Sequence, residues 1–211
     1  MHICIIGTGA SGWMSSSILK QKHYVDKITI IGSPSIPTIG VGESTTLNFL
    51  EFLEMCDITE EELVRECDAS FKYGVLYENW SEKDFIHHFK NSKIAEERGI
   101  DLDYFGMTLA NKESDAHVHD FIGKKLWDFV RKNKLSTHLD EYLNAWHFEA
   151  NKFISFLEKK NLSDPKVNFI SDTVVDCQYR GASEKILNVT LKSGDVISAD
   201  YFVISTGQSC A

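Results

Sequence analysis

Apolar positions along the chain cluster in short β-branched runs, separated by glycine turns and by helix-length intervals of mixed polarity. The first run, HICII at residues 2–6, meets a glycine turn, and ASGWMSSSILKQK (10–22) after it can wind as a helix. A second run, KITII at 27–31, follows at a helix-sized interval, so a βαβ unit and a parallel sheet are the economical topology. Thr59 with Glu62 three residues on is a capping-box pattern that starts a helix in TEEELVREC. ASFKYGVLYENW (69–80) is aromatic and β-branched, which predicts a strand with Ser70, Lys72, Gly74 and Leu76 on one face. Residues 81–144 are charged and histidine-containing without strand periodicity, and read as a mixed helical insertion. In HFEANKFISFLEKK (147–160), Phe148, Phe153, Phe156 and Leu157 lie at near-helical spacing, and three strand-like runs follow. The expected division is 1–80 and 146–211 as two parts of one nucleotide-binding domain, with 81–145 inserted between them.

Composition narrows the classes. With 211 residues, 43% hydrophobic and 25% charged, the chain is long enough for one full core. Its net charge of −9 argues against nucleic acid, whose sequence-independent binding depends on clustered Lys and Arg. The start has no basic n-region and no window is apolar enough to span a bilayer, so no membrane association and a cytoplasmic location are expected. Cys4, Cys56, Cys67, Cys177 and Cys210 are odd in number and share no C-x-x-C spacing, which suits reduced thiols.

The chemistry begins at Gly7, Gly9 and Gly12, which fit G-x-G-x-x-G between a strand and a helix. The first glycine permits the tight turn, the second lets backbone approach a diphosphate, and the third lets helix and strand pack closely. The carboxylate that usually binds the ribose belongs at the end of the second strand, but Gly32 and Ser33 stand there. Either the site is degenerate, or a hydroxyl or backbone groups hold the ribose. PTIGVGEST (37–45) then supplies a glycine-rich loop shaped for close contact, with Glu43 in either a direct role or one satisfied by nearby amides. Read alone, Lys72 is a solvent-facing strand lysine, with Gly74 leaving space on its face. His87–His88 are adjacent and His117 and His119 two apart, but no acidic or cysteine partner completes an evident site with them, so no metal site is expected. Trp80, Trp127 and Trp146 read as packing residues.

Five segments, GTGASGWM, SIPTIGVGEST, RECDASFKYGVLYENW, WHFEANKFISFL and ADYFVISTG, occur in the order and spacing of the flavin-dependent halogenases, which include the tryptophan halogenases. The chain resembles that family over roughly residues 1–80 and 146–211. The resemblance implies an α/β, Rossmann-type FAD-binding fold of the flavin monooxygenase kind with a mostly helical insertion. It implies that Gly7, Thr8, Gly9, Ala10, Ser11 and Gly12 cradle the FAD diphosphate. Ser33 and Ile36, then Ile39, Gly40, Val41, Gly42, Glu43 and Ser44, belong to a strap across the flavin, and Val174 joins the cofactor-binding set. Reduced FAD and oxygen would convert a halide ion to hypohalous acid, which reaches a lysine matched by Lys72 of the Phe71-Lys72 pair. The implied reaction is halogenation of an electron-rich small molecule. A separate flavin reductase would supply the reduced cofactor, since the chain shows no second dinucleotide fingerprint.

Family members are more than twice as long. The W-x-W-x-I-P signature, the downstream Gly-Asp flavin segment, the halide site and the glutamate that partners the lysine would lie beyond STGQSCA. Ser205 stands where the family has an acid, and Gln208 where it has an aromatic. Three readings follow: part of a complete halogenase, a non-catalytic flavin- or nucleotide-binding module, or an interaction protein with a vestigial site. Apolar surface left uncovered would favour assembly, including a homo-oligomer.

Overall fold

A computed structural model describes residues 1–36, 42–72, 74–80, 85–88, 145–180 and 185–207. Contacts divide the chain into two units, Met1–Ser70 with Trp146–Ala211, and Phe71–Ala145.

The first unit is built on a four-stranded parallel sheet. Its strands are β1 (His2–Ile6), β2 (Lys27–Gly32), β8 (Val167–Ser171) and β12 (Tyr201–Ile204), in the order β12-β1-β2-β8. Between β1 and β2 runs helix α1 (Ala10–Leu19), the predicted βαβ unit. Ile3, Cys4, Ile5 and Ile6 are all buried, as expected for a strand covered on both faces. Cys4, Ile6 and Ile31 pack with Val189 and Leu191 of β10 (Ile186–Leu191). That strand is the centre of a small antiparallel sheet with β9 (Val174–Tyr179) and β11 (Val196–Ser198).

The helical side is held by α4 (Ala150–Leu162), which packs on α1 and on α3 (Glu60–Cys67). Asn161 donates from Nδ2 to Ser17 Oγ at 2.8 Å and to the Leu157 carbonyl at 2.8 Å, a buried polar tie between α4 and α1. Helix α3 carries the capping box read from the sequence. The Glu62 amide donates to Thr59 Oγ1 at 3.2 Å, and Glu62 Oε2 accepts from the Thr59 amide at 2.9 Å. Lys160 of α4 donates to the same carboxylate at 2.9 Å, coupling the cap to the neighbouring helix. Burial alone would raise the Glu62 pKa, but the Thr59 and Lys160 hydrogen bonds outweigh it and hold the carboxyl below its usual range.

Phe49 and Phe52 of α2 (Asn48–Met55) form an aromatic cluster with Phe148 and Phe153. The sequence places Phe148 on the helix with Phe153. In the structure it belongs to strand β7 (Ala145–Glu149), which pairs antiparallel with β3 (Gly42–Ser44), and the helix begins only at Ala150. Glu149 makes the break, accepting from the Asn151 and Lys152 amides at 3.1 and 2.6 Å as the cap of α4.

In the second unit, the strand expected over 69–80 appears as β4 (Ser70–Lys72) and β5 (Gly74–Tyr77), on either side of residue 73, which lies outside the described residues. Strand β5 pairs antiparallel with β6 (Phe85–His88), so residues 85–88 of the expected helical insertion form a strand. Residues 89–144, including His117, His119 and Trp127, lie outside the described residues. Trp146 is fully buried, as its reading as a packing residue requires. Trp80 is 75% exposed, which corrects the packing role expected from its size.

Candidate functional site

Strand β1 is central in its sheet, with β2 on one side and β12 on the other, so a crevice opens at the carboxyl ends of β1 and β12. Two turns meet there. The Gly7 amide donates to the Ile31 carbonyl at 2.8 Å, and the Ser205 amide donates to the Ile6 carbonyl at 2.7 Å. Gly7 has φ +116°, and a Cβ there would stand 2.1 Å from the Ser205 carbonyl oxygen. A Cβ on Gly12 would stand 2.1 Å from the Gly7 carbonyl oxygen, which fixes the close helix–turn approach. Around a Cβ on Gly9 nothing lies within 4 Å. The three glycines therefore differ in role: two allow the turn and the helix to close on each other, and one leaves open space.

That space is a cavity of about 500 Å³, within the size range of cofactor pockets. Gly7, Thr8, Gly9, Ala10, Ser11, Ser33, Ile36, Glu43 and Val174, all singled out from the sequence, line it. Gly12, Gly42 and Ser44 are described but do not line it, Gly12 because it packs under the turn. Ile39, Gly40 and Val41 lie outside the described residues. Lys72 belongs to the second unit, where it is half-buried.

Ser205, Thr206, Gly207, Asp172 and Thr173 also line the cavity, as do Ala150 and Ile154, and the sequence did not single these out as binding residues. A strand-then-glycine pattern, YFVISTG echoing HICIIGTG, is the signal that marks the first three. Gly32 explains the absent carboxylate at its own position: a Cβ there would meet the Thr8 side chain at 2.4 Å.

The electrostatics favour an anion at the start of α1. No side chain caps that helix and its first turn holds no acid, so its leading amides point towards the cavity unpaired by a carboxylate. Helix α4, also at the cavity, is capped by its own Glu149. Thr206 Oγ1 is buried without a hydrogen-bond partner among the described residues, a polar atom in the cavity wall that a ligand can satisfy. A cavity of this size, an uncapped helix N-terminus, a glycine open to the lumen and an orphaned hydroxyl together fit a dinucleotide. Glu43 is exposed, and its register partner on β7 is Phe148. Capture of its carboxylate by nearby amides, one of the two roles read from the sequence, is not among the hydrogen bonds of the described residues.

Cys4, Cys56 and Cys67 are not prepared for thiolate chemistry. Burial pushes the Cys4 thiol up to about 12, Cys67 to about 12 and Cys56 to about 11, so all three are held protonated. Among the described residues no three His, Cys, Asp or Glu gather as a metal site, and no helix is long and apolar enough to cross a membrane.

Comparison with known proteins agrees with this geometry. The tryptophan 7-halogenase RebH of Lentzea aerocolonigenes is 32% identical over 97% of this chain and 42% of its own length. The tryptophan 6-halogenase ThaL of Streptomyces albogriseolus is 30% identical over the same shares. The solved tryptophan 6-halogenase SttH of Streptomyces toxytricini superposes with a TM-score of 0.77 at 28% identity, covering 98% of this chain and 42% of that one. The chain thus spans about 42% of the length of these relatives. Likeness to a solved tryptophan halogenase of Shewanella frigidimarina, TM-score 0.78 at 23% identity, supports the shared α/β fold. A sequence profile for tryptophan halogenase matches residues 2–210, and the chain belongs to that family.

Proposed function

We propose that this chain is the FAD-binding part of a flavin-dependent halogenase acting on an electron-rich small molecule. The observation that carries the reading is the cavity at the uncapped start of α1, in a chain of the tryptophan halogenase family. The amides of Ala10 and Ser11 hold the diphosphate, with Gly9 leaving room for its approach. In this reading Ser33 and Ile36 lie towards the adenosine, Val174 contributes apolar contact, and Gly42 to Ser44 belong to the strap along the flavin that the family resemblance implies. Bound reduced FAD would supply two electrons to dioxygen, which would take two more from a halide ion, giving hypohalous acid and water.

Lys72 acts on that acid in this proposal. Its ammonium donates to the hypohalous oxygen, which leaves as water while the halogen bonds to the aromatic carbon and the ring proton is released. The family's named substrate makes an indole or similarly electron-rich ring the chemical class to try first. A separate flavin reductase supplies the reduced cofactor.

The test is a mass-spectrometric product assay with FAD, a flavin reductase, halide and tryptophan or simpler indoles, run with this chain joined to the C-terminal remainder of a family member. A product heavier by halogen for hydrogen, dependent on both FAD and halide, is expected. No product from a joined protein that binds FAD would replace this reading with a non-catalytic flavin-binding module.

A further inference from the structure

The dinucleotide fingerprint calls for a carboxylate at the end of β2, and this chain has Gly32 and Ser33 there. Position 32 is closed to a side chain by Thr8. Ser33 is not alone. Its Oγ lies 2.6 Å from Thr173 Oγ1 and 2.9 Å from Ser35 Oγ. Thr173 comes from the turn between β8 and β9, on the far side of β2 from β1.

The Thr173 turn is held in place. Asp172 Oδ1 accepts from the Thr173 amide at 2.6 Å, and Asp172 Oδ2 accepts from the Ser193 amide at 3.1 Å. The Lys192 amide donates to the Thr173 carbonyl at 2.8 Å, tying the same turn to the β10–β11 connection. Ser33, Asp172 and Thr173 all line the cavity, and among the described residues no Lys or Arg does.

We propose that the Ser33–Thr173 hydroxyl pair takes over the ribose-binding role of the missing carboxylate, with Asp172 as the residue that positions Thr173. The proposal rests on the reading of this cavity as an FAD site. Three linked hydroxyls share two protons between them and leave one O–H to donate, together with unused lone pairs. A vicinal diol needs both, because each of its hydroxyls donates and accepts. A carboxylate at this place only accepts. Among the described residues no cationic side chain lines the cavity beside the Asp172 carboxylate, an arrangement that favours a ribose without an extra phosphate.

The test is a double-mutant cycle run on binding. Wild type, Ser33→Ala and Thr173→Val are titrated with FAD and with FAD lacking the 2′-hydroxyl of the adenosine ribose. Riboflavin, which lacks the adenosine, serves as the control. Each substitution is expected to weaken FAD roughly two- to tenfold, the range of one net hydrogen bond, and to leave riboflavin unchanged. The deoxy cofactor should bind the wild type more weakly, with at least one substitution adding little further loss. Thermal melting of both variants checks that the turn is intact. Folded variants that bind FAD as the wild type does, or that lose affinity equally for both cofactors, overturn the ribose assignment while leaving the FAD site standing. Failure of the wild type to bind FAD at all overturns the underlying reading instead.

Discussion

Gly7→Ala is expected to cost the chain about 3–5 kcal/mol, a large share of the roughly 5–15 kcal/mol that holds a domain together. Two effects add. At φ +116° an alanine is strained by about 1–3 kcal/mol. Its Cβ would also sit 2.1 Å from the Ser205 carbonyl oxygen, a backbone atom that cannot move without parting the β1 and β12 turns. The expected readout is a fall in melting temperature of roughly 10 °C or more. Gly9→Ala separates fold from binding. Its Cβ meets nothing within 4 Å, so melting should be nearly unchanged while FAD affinity falls on the order of tenfold or more, as overpacking of the diphosphate path predicts. Wild-type melting in Gly7→Ala would contradict the account of the turn. Unaltered FAD affinity in Gly9→Ala would contradict the placement of the diphosphate.

The second large effect is chemical. Lys72→Ala is expected to lower halogenated product by about a hundredfold or more, the scale on which positioned proton donors act, while leaving FAD affinity within twofold of wild type. Lys72→Arg keeps the charge but replaces a compact ammonium with a planar fork, and should recover little. The split between binding and product formation is the informative part. A variant that folds, binds FAD and forms product at the wild-type rate would remove Lys72 from the mechanism.

Local signals in the sequence carried through to the structure. Thr59 and Glu62 sit three residues apart and bond to each other, so a capping box is complete within its own segment. The strand–glycine–helix start is equally local, and the βαβ unit follows from it. Strand β7 was hidden for the opposite reason. Its identity depends on pairing with β3, and Thr45 with Trp146 makes the join: the Thr45 amide donates to the Trp146 carbonyl at 2.9 Å. Helical spacing of the phenylalanines pointed elsewhere, because Phe148 and Phe153 meet across a strand–helix junction in the same aromatic cluster. The cavity divides in the same way. Residues of the glycine turn were legible from one motif, whereas Thr173 reaches Ser33 across 140 positions of sequence. No pattern near Ser33 announces that partner. Trp80 shows the limit of reasoning from side-chain size, since a large indole ring was expected to pack and stands exposed.

FAD binding in the cavity at the start of α1 is measured by titrating the folded chain with FAD and following flavin absorbance and fluorescence. Saturable binding with one FAD per chain is expected, weakened by Gly9→Ala and not by Lys72→Ala. A folded chain whose titration shows no change in the flavin spectrum up to millimolar FAD would contradict it.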